Sequence, residues 1–411
     1  MLKTTQKYRV TAVVAAAVLL TISGCSSTAP GEGGGGTTVT IGALLPQTGD
    51  LAALGKNSTN AVQLAVAQAN AADSGYTIEL EQQDDGSQES IAQSALQQIL
   101  ATNPTAIVGT ISTAVCLSTI DTIVQAEVPM IAPACTSPQL TSYKDDGYFF
   151  RTAAASDVQG AILAQLAYDD GARKVAMLSV NNSYGQPIAE TFTETFEGLG
   201  GTIAYEVAYD ATAKTFTAET QQAAAADPDS VILIGYQDTG AAIVYDASQR
   251  GLLDIPWYTG DGIRDASFPG QALPGEEETL YTWKGVGLGS SDSDATAAFA
   301  AAYEDEYSED VPSFAPQSYD AAWIAILASV LAENSGETAR DEIANVTSPS
   351  GTPCIAAECL ELVAGGEAVA YQGATGAVEF DEDGNPTKPV FAVWQFSADG
   401  LVTIENIEGG K

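Results

Sequence analysis

Short apolar segments alternate with longer segments of helical periodicity along most of the chain. Residues 39–45 form an apolar run bounded by Pro46 and Gly49, which predicts a buried strand. Residues 55–71 follow with apolar positions at helical spacing and predict an Ala-rich helix. Strands that alternate with helices of this length indicate βαβ units, in which helices cover both faces of a parallel sheet.

The alternation occurs in two series. Before Arg151, the pattern predicts strands at 39–45, 77–80, 106–108 and 129–132, and helices at 55–71, 87–101 and 114–126. From Ser156 onward, it predicts strands at 175–180, 202–208, 231–234 and 257–259, with helices beginning at 156 and spanning 185–198, 216–226 and 240–249. Two such series predict two doubly wound α/β domains.

Beyond Tyr281 the pattern is less regular. It predicts helices at 295–307 and 317–332 and strands at 376–381 and 390–396, which are too few for a third complete series. We therefore expect this part to complete the first two domains through several chain crossings. The glycine-rich residues 285–289 lack the setting of a dinucleotide fingerprint and are interpreted as a hinge or loop. Residues 381–385 favour a turn over a fragment of a calcium loop.

The N-terminal segment has the organisation of a secretory signal. Residues 1–9 are basic and residues 10–20 are apolar, a run too short to span a membrane. Ser23, Gly24 and Cys25 close it and resemble a lipobox, the site at which bacterial lipoproteins are cleaved and lipidated. We expect a signal peptide at 1–24 and a lipidated Ser/Gly tether at 25–37. The protein would then be exported and anchored on the extracytoplasmic side of the membrane, at the cell surface or in the periplasm. The alternative is an ordinary signal peptide with an incidental cysteine.

Composition excludes several classes of function. The 411 residues suit two domains of ordinary size. There is no histidine, which removes Ser-His-Asp and Cys-His hydrolases and His-ligated metals. Only 15 basic residues face 53 acidic ones, so the surface repels nucleic acid and nucleic-acid binding is not expected. Such acidity also fits a high-salt habitat. We expect no enzyme activity, no cofactor and no metal site.

Four cysteines follow Cys25. An even number in an oxidising compartment predicts disulfides, with four free thiols as the alternative. We expect Cys116 to pair with Cys135, because both fall at neighbouring strand-end loops, and Cys354 to pair with Cys359 across a tight loop.

Two loops carry hydroxyl groups between a predicted strand and the following helix. They are residues 109–113 and residues 134–138. A helix N-terminus holds an anion through free backbone N–H groups and the helix dipole. Both loops also lie at the carboxyl ends of parallel strands, where open α/β sheets bind their ligands. Plain N-capping by serine and threonine is the alternative for each loop.

Several motifs in order identify a family resemblance. They are residues 41–49 (IGALLPQTG), 84–87 (DDGS), 107–109 with 112–113, 128–138 (VPMIAPACTSP), 150–152 (FRT), 184–185, and 380–381 with Gly384. With these motifs, residues 38–407 resemble the extracellular solute-binding proteins of ABC transporters, specifically the branched-chain amino-acid (Leu/Ile/Val) binding group.

The resemblance implies the type I periplasmic-binding-protein fold. Its two Rossmann-like lobes are joined by a three-stranded hinge and close over the ligand. The crossings should lie near Thr152, near residues 283–289 and near residues 380–386. The first lobe would comprise 38–152 plus about 287–382. The second lobe would comprise 153–286 plus about 383–411.

Carried over by position, the resemblance also implies the ligand contacts. Hydroxyls of Thr113 and Thr136, with backbone N–H groups around Ser112 and Thr136, would hold an α-carboxylate. Ala134 would offer its carbonyl to the α-ammonium, and Asp261 would be the ammonium counter-ion. The remaining predicted site residues are Cys135 beside Thr136, Tyr184 and Tyr236 closing from the second lobe, and Leu54 and Phe314 near the ligand side chain.

Some positions depart from the leucine-binding type. Asp261 stands in place of the longer Glu, and Leu54 stands where an aromatic is often found. The ligand is therefore left open among leucine-like compounds, polar amino acids, amides or urea, and aromatic acids. We expect a monomer that captures an amino acid or related small polar solute and delivers it to an ABC permease with its ATPase subunits. A sensor of the same fold that acts through a signalling partner is the alternative.

Overall fold

The computed structural model describes residues 36–408. In this part of the chain, twelve α-helices and fifteen strands form two large, mainly parallel β-sheets and one small sheet. The fold is therefore α/β, as the sequence predicts. The predicted signal peptide, Cys25 and nearly all of the predicted tether lie outside the described residues. None of the described helices is both long enough and apolar enough to cross a membrane.

The first sheet contains the first series of elements. Its five parallel strands run in the order β2-β1-β3-β4-β5. They are β1 (Thr37–Leu45), β2 (Tyr76–Asp84), β3 (Ala106–Gly109), β4 (Met130–Ala132) and β5 (Phe149–Arg151). The connecting helices are α1 (Ala52–Ala71), α2 (Glu89–Leu100) and α3 (Thr113–Ala126). We call this sheet and the helices packed on it the first lobe.

The second sheet has seven strands in the order β15-β14-β10-β9-β8-β6-β7. They are β6 (Lys174–Val180), β7 (Thr202–Tyr209), β8 (Ser230–Ile234), β9 (Trp257–Thr259), β10 (Lys284–Leu288), β14 (Val390–Ser397) and β15 (Gly400–Glu408). Its helices are α4 (Ser156–Asp169), α5 (Gly185–Gly198), α6 (Thr217–Ala225), α7 (Gln237–Ser248) and α8 (Phe268–Ala272). Strands β6 to β10 pair in parallel, whereas β14 is antiparallel to both neighbours. These elements form the second lobe.

The remaining elements pack with the first lobe. They are α9 (Asp294–Tyr307), α10 (Ala315–Ser335), α11 (Ala339–Thr347), α12 (Ala356–Ala364), β11 (Thr352–Cys354), β12 (Val369–Gly373) and β13 (Gly376–Ala377). Helix α10 contacts α1, β1, β3 and β4, and is buried almost all around. The chain therefore passes between the lobes after β5, after β10 and between β13 and β14. The lobe boundaries predicted from the sequence remain a proposal.

Residues 285–289 correct one interpretation from the sequence. They belong largely to β10, a buried strand between β9 and β14, and not to a loop. Their glycines allow close packing, because a Cβ on Gly285 would lie 2.2 Å from the Trp394 side chain. The strand predicted at 376–381 is also shorter than expected, since β13 ends at Ala377. The sequence analysis missed seven elements: β5, β11, β12, β15, α8, α11 and α12.

Alternating side chains of β1 fill the core on both faces of the first sheet. Ile41 and Leu45 join the larger hydrophobic cluster, whereas Leu44 faces a smaller cluster beneath α2 and α3. The smaller cluster contains the Cys116–Cys135 disulfide, whose Cα atoms are 6.3 Å apart. The Cα atoms of Cys354 and Cys359 are 5.1 Å apart in the second disulfide. The structure thus forms both predicted cysteine pairs.

Candidate ligand-binding site

A cavity with about 320 Å³ of empty volume lies between the carboxyl ends of the two parallel sheets. Its lining comes from both lobes and comprises Leu51, Leu54, Ile111, Thr113, Ala134, Cys135, Thr136, Tyr184, Tyr236, Asp261, Gly262 and Phe314. Nine of the ten predicted ligand residues therefore surround one cavity. Ser112 is the exception and precedes the lining residue Thr113.

Asp261 provides a carboxylate on the wall formed by the second lobe. It follows β9 and is only 2% exposed. The hydroxyl of Tyr184 donates to Asp261 Oδ1 at 2.7 Å and accepts from the backbone N–H of Gly262 at 3.2 Å. Asp261 Oδ2 is buried and has no hydrogen-bond partner in the described structure. A carboxylate oxygen is therefore free for a donor in the cavity.

The charge state of Asp261 reflects opposing influences. Burial raises the pKa of its carboxyl group, while the Tyr184 hydrogen bond, the nearby Gln159 side-chain amide and the positive charge of Arg264 favour ionisation. Burial also lowers the pKa of Arg264 to about 10, so its guanidinium stays charged at neutral pH. Arg264 Nη1 donates to the carbonyl of Leu288. Among the ion pairs of residues 36–408, none joins Arg264 to Asp261, so the carboxylate is not neutralised by direct contact.

Two tyrosines from the second lobe stack against each other beside Asp261. The rings of Tyr184 and Tyr236 have centroids 5.4 Å apart and an interplanar angle of 22°. Asn182 holds both, since its Nδ2 donates to Tyr236 Oη at 3.0 Å and its Oδ1 accepts from the backbone N–H of Tyr184 at 3.0 Å. The sequence analysis missed Asn182. Its position just before the predicted helix at 185 could have indicated it, because asparagine caps helix N-termini.

Backbone donors occupy the opposite wall, which belongs to the first lobe. Helix α3 begins at Thr113, and its N-cap Ser112 makes no side-chain capping hydrogen bond. The first N–H groups of a helix have no partner within the helix, so they are available to an anion in the cavity. Thr136, which follows β4, brings a second lining hydroxyl to this wall. The site thus offers donors at one end and a free carboxylate oxygen at the other.

The rest of the cavity is apolar. Its apolar lining includes the side chains of Leu51, Leu54, Ile111 and Phe314. Phe314 has a φ of 64°, in the left-handed region that bulky residues rarely adopt. Its ring reaches the cavity from the residue before α10. Leu51, Ile111 and Gly262 were not predicted as site residues, although Ile111 lies within the loop that the sequence singled out.

The donor set has no metal-binding character. Within residues 36–408, no group of three or more His, Cys, Asp or Glu side chains is arranged to hold a metal ion. An arrangement with donors at one end, a carboxylate at the other and apolar side chains between them can hold a small molecule with an anionic end, a cationic end and an apolar body. Two lobes with such a cavity between them define a two-lobed solute-binding protein.

Comparison of the sequence with known families agrees with this class. The sequence profile described as "Periplasmic binding protein" matches residues 38–400. The chain belongs to this family of binding proteins.

Three individual proteins are similar to this chain over much of its length. BasB, the chemotactic signal transduction system substrate-binding protein of Halobacterium salinarum, is 26% identical over 393 residues, or 91% of each chain. The Leu/Ile/Val-binding protein BraC3 of Rhizobium johnstonii is 26% identical over 270 residues, covering 64% of this chain and 72% of its own length. The crystal structure of the branched-chain amino acid transporter substrate binding protein LivJ from Streptococcus pneumoniae, in complex with isoleucine, has a TM-score of 0.76 at 24% identity. It covers 91% of this chain and 100% of LivJ.

Proposed function

We propose that the protein captures an α-amino acid with an aliphatic side chain between its lobes and delivers it to an ABC permease. The observation that carries this proposal is the unpartnered, buried Asp261 Oδ2 in a cavity whose opposite wall has the uncapped N-terminus of α3. A zwitterion satisfies both ends at once. The Leu/Ile/Val-binding relatives support the same class of ligand.

Opposite charges at the two ends of the cavity would favour binding of a zwitterion. The ligand ammonium would contact Asp261 Oδ2, and the Ala134 carbonyl would accept a second hydrogen bond from it. The ligand carboxylate would accept from Thr113, Thr136 and the first N–H groups of α3. Charge-assisted hydrogen bonds of this kind gain strength when lobe closure removes water from the cavity.

The apolar lining supports an aliphatic side chain. Leu51, Leu54, Ile111 and Phe314 offer no hydrogen-bonding side chain to a polar substituent. A ligand hydroxyl or amide placed there would lose its hydrogen bonds to water without replacement. This argument favours leucine, isoleucine or valine over polar amino acids.

Export and lipid anchoring through Cys25 are part of the proposal. They rest on the basic and apolar N-terminal segments and the Ser-Gly-Cys ending. An anchored binding protein would stay close to the permease while its lobes remain free to open and close.

A sensory role is the second candidate. BasB aligns with this chain over 91% of both lengths, which is more than BraC3 covers. In this alternative the same closed form would contact a membrane signal transducer. Both functions use the same ligand cavity, so they differ only in the partner that recognises closure.

Thermal melting of the protein with candidate compounds tests which of them it binds. The soluble form beginning at Ser26 is unfolded, freed of ligand, refolded and melted with a panel of amino acids, amides and aromatic carboxylates. A ligand at 100 times its Kd adds about 2.7 kcal/mol to the free energy of unfolding. We expect L-leucine, L-isoleucine or L-valine to raise Tm by several degrees. A rise only with solutes that lack an ammonium group would contradict the proposed role of Asp261.

A gene deletion in cells distinguishes transport from sensing. Deletion of the gene should abolish uptake of the radiolabelled ligand if the protein serves a permease. If it serves a transducer, uptake should persist and the behavioural response to the ligand should be lost.

A further inference from the structure

We propose that the Cys116–Cys135 disulfide is a positioning cross-link of the ligand site, which holds the two carboxylate-binding segments in register before the ligand arrives. The inference rests on the proposed function, because it assigns a role within the same cavity. The segments are the start of α3, with Thr113, and the loop after β4, with Thr136. The disulfide cross-links them directly, whereas the backbone joins them only through the residues between Cys116 and Cys135.

The position of each cysteine supports this role. Cys116 lies in the first turn of α3, and its backbone N–H donates to the carbonyl of Ser112 at 2.9 Å. Cys135 lines the cavity directly before Thr136. A change in the Cys116–Cys135 distance would therefore move the hydroxyl of Thr136 relative to the N-terminus of α3.

The Cys135 sulfur also contacts the α3 entry segment. It lies 3.3 Å from the carbonyl oxygen of Thr110 and 3.4 Å from that of Ser112. The bridge is buried, since Cys116 is 0% and Cys135 is 1% exposed. It packs in the smaller hydrophobic cluster beneath the sheet. The cross-link is thus part of a rigid support for the cavity wall.

The conformation of Cys135 requires such support. Its φ of 60° lies in the left-handed region, which a residue with a side chain keeps only when its surroundings fix it. Arg151 supplies a second constraint, because Nη1 donates to the carbonyls of Cys135 and Ser137 at 2.9 Å each. With Arg151 in place, we expect the loop to remain folded without the disulfide but to sample more conformations.

The second disulfide provides a matched control. Cys354 and Cys359 bridge β11 to α12 and are likewise buried, but neither lines the ligand cavity. Removing either bridge releases a constraint on the unfolded chain. Only removal of Cys116–Cys135 should release a constraint on the ligand site.

The test compares Cys116→Ala/Cys135→Ala with Cys354→Ala/Cys359→Ala by calorimetric titration. The probe is whichever of L-leucine, L-isoleucine and L-valine binds the unmodified protein most tightly. We expect Cys116→Ala/Cys135→Ala to raise Kd by roughly three- to tenfold, the cost of ordering one or two extra groups on binding. The control pair should leave Kd within about twofold, a change well below one tenfold step in affinity. The inference would be overturned if Cys116→Ala/Cys135→Ala left Kd unchanged. It would also be overturned if both variants raised Kd to the same extent.

A second measurement uses the unmodified protein, so that the inference can be tested even if the variant does not fold. Dithiothreitol reduces a disulfide by supplying two electrons and two protons, and becomes its own cyclic disulfide. Because Cys135 lines the cavity, the bound amino acid should slow reduction of Cys116–Cys135 more than that of Cys354–Cys359, as measured by alkylation and mass spectrometry. Equal slowing of both bridges would reflect global stabilisation alone and would overturn the inference. If the unmodified protein binds none of the three amino acids, the proposed function fails instead.

Discussion

Tyr184 and Asp261 form a hydrogen bond of 2.7 Å that engages only one carboxylate oxygen. The tyrosine donates to Oδ1, and its ring is held by stacking on Tyr236. Burial raises the pKa of Tyr184, and the nearby Asp261 charge raises it further, so this hydroxyl remains a donor. The pair therefore fixes the orientation of Asp261, while Oδ2 has no hydrogen-bond partner among the described residues.

The first prediction concerns Asp261→Asn. The amide keeps the shape of the carboxyl group but removes the charge that would balance a ligand ammonium. We expect binding to weaken by about 2–5 kcal/mol, the usual cost of removing one partner of a buried charge pair. The ligand-free variant should be at least as stable as the unmodified protein, because a buried charge without a direct partner is costly. Calorimetric titration and ligand-free melting test the two effects separately.

Tyr184→Phe is the matched control for this prediction. It removes the orienting hydroxyl but keeps the charge and the ring. We expect a smaller loss of binding than for Asp261→Asn, of about 1 kcal/mol. A larger effect of Tyr184→Phe would mean that orientation, and not charge, dominates the interaction.

The second prediction is a pH dependence of binding. In the ligand-free protein, burial raises the pKa of Asp261 above the ordinary value of 3.8, whereas a bound ammonium would favour the ionised carboxylate. Affinity should therefore be constant above the raised pKa and fall as the pH decreases through it, with proton release on binding in that range. Titrations in two buffers of different ionisation enthalpy measure the released proton. An affinity that stays unchanged down to the ordinary aspartate pKa would contradict this assignment.

The third prediction concerns the size of the ligand side chain. Leu54 is 3% exposed and lines the cavity from α1. Leu54→Ala should enlarge the apolar end and shift relative affinity from L-valine toward L-phenylalanine by roughly tenfold or more, since a few methylene groups are worth about 1–3 kcal/mol. Leu64→Ala, a buried position on the same helix outside the cavity lining, should lower stability without changing the preference. Titration with both amino acids provides the test.

The hydrophobic pattern predicted the long elements well because their periodicity is strong. Helix α5 has the bounds that the sequence indicates. The short buried strand β9 also has the indicated bounds. The pattern failed for β10, because its two glycines are typical of a loop. In the structure they allow the Trp394 side chain to pack closely against the strand. It also missed β15, because an exposed edge strand lacks a continuous apolar run.

The residues of the candidate site likewise fall into those that the sequence predicted and those that it missed. Hydroxyl-bearing loops at strand ends and the family motifs pointed to Thr113, Thr136 and Asp261. Asn182 had a local signal in its position before a predicted helix, but its hydrogen bond to Tyr236, 54 residues away, is visible in no local pattern. The contact of Arg264 with the Leu288 carbonyl likewise joins segments that are separate in the sequence. Leu51 was missed because a leucine beside a helix start is equally typical of an ordinary core position.

The fourth prediction concerns Asp320, a buried carboxylate in α10. Its Oδ1 accepts from Tyr371 Oη at 2.9 Å and from Ala374 N at 2.6 Å, and its Oδ2 accepts from Thr375 N at 2.9 Å and Oγ1 at 2.6 Å. Asp320→Ala leaves these donors unpaired and should lower the free energy of unfolding by about 3 kcal/mol or more. Kd should not change, because Asp320 does not line the cavity. Glu333→Ala, at an exposed position of the same helix, is the control.

The stability effect of Asp320 should depend on pH. Burial raises its pKa to about 6, so the folded protein binds this proton more tightly than the unfolded chain. The resulting stabilisation is fully present below the ordinary value of 3.8 and is lost as the pH rises through about 6. The difference in unfolding free energy between the unmodified protein and Asp320→Ala should therefore be larger at pH 4 than at pH 7. Denaturant titration at the two pH values measures it, and an equal difference would contradict the raised pKa.

The last prediction is that salt stabilises the protein. The chain has a formal net charge of −38. In the part of the chain that the structure describes, only four ion pairs form, so most carboxylates have no basic neighbour within 4 Å. Salt shortens the range of their repulsion from about 10 Å at 0.1 M to about 3 Å at 1 M. We expect Tm to rise by roughly 5 °C or more over this interval in potassium chloride.

A charge reversal separates screening from other effects of salt. Asp305 is exposed near the C-terminal end of α9, beside the exposed Glu304 and Glu306. Asp305→Lys should raise Tm at 0.1 M salt, because it removes repulsion there and places a positive charge at the negative end of the helix dipole. The gain should shrink toward zero at 2 M salt, where both interactions are screened. A gain that persists at 2 M would indicate a local packing effect, and a Tm of the unmodified protein that does not respond to salt would show that carboxylate repulsion does not limit its stability.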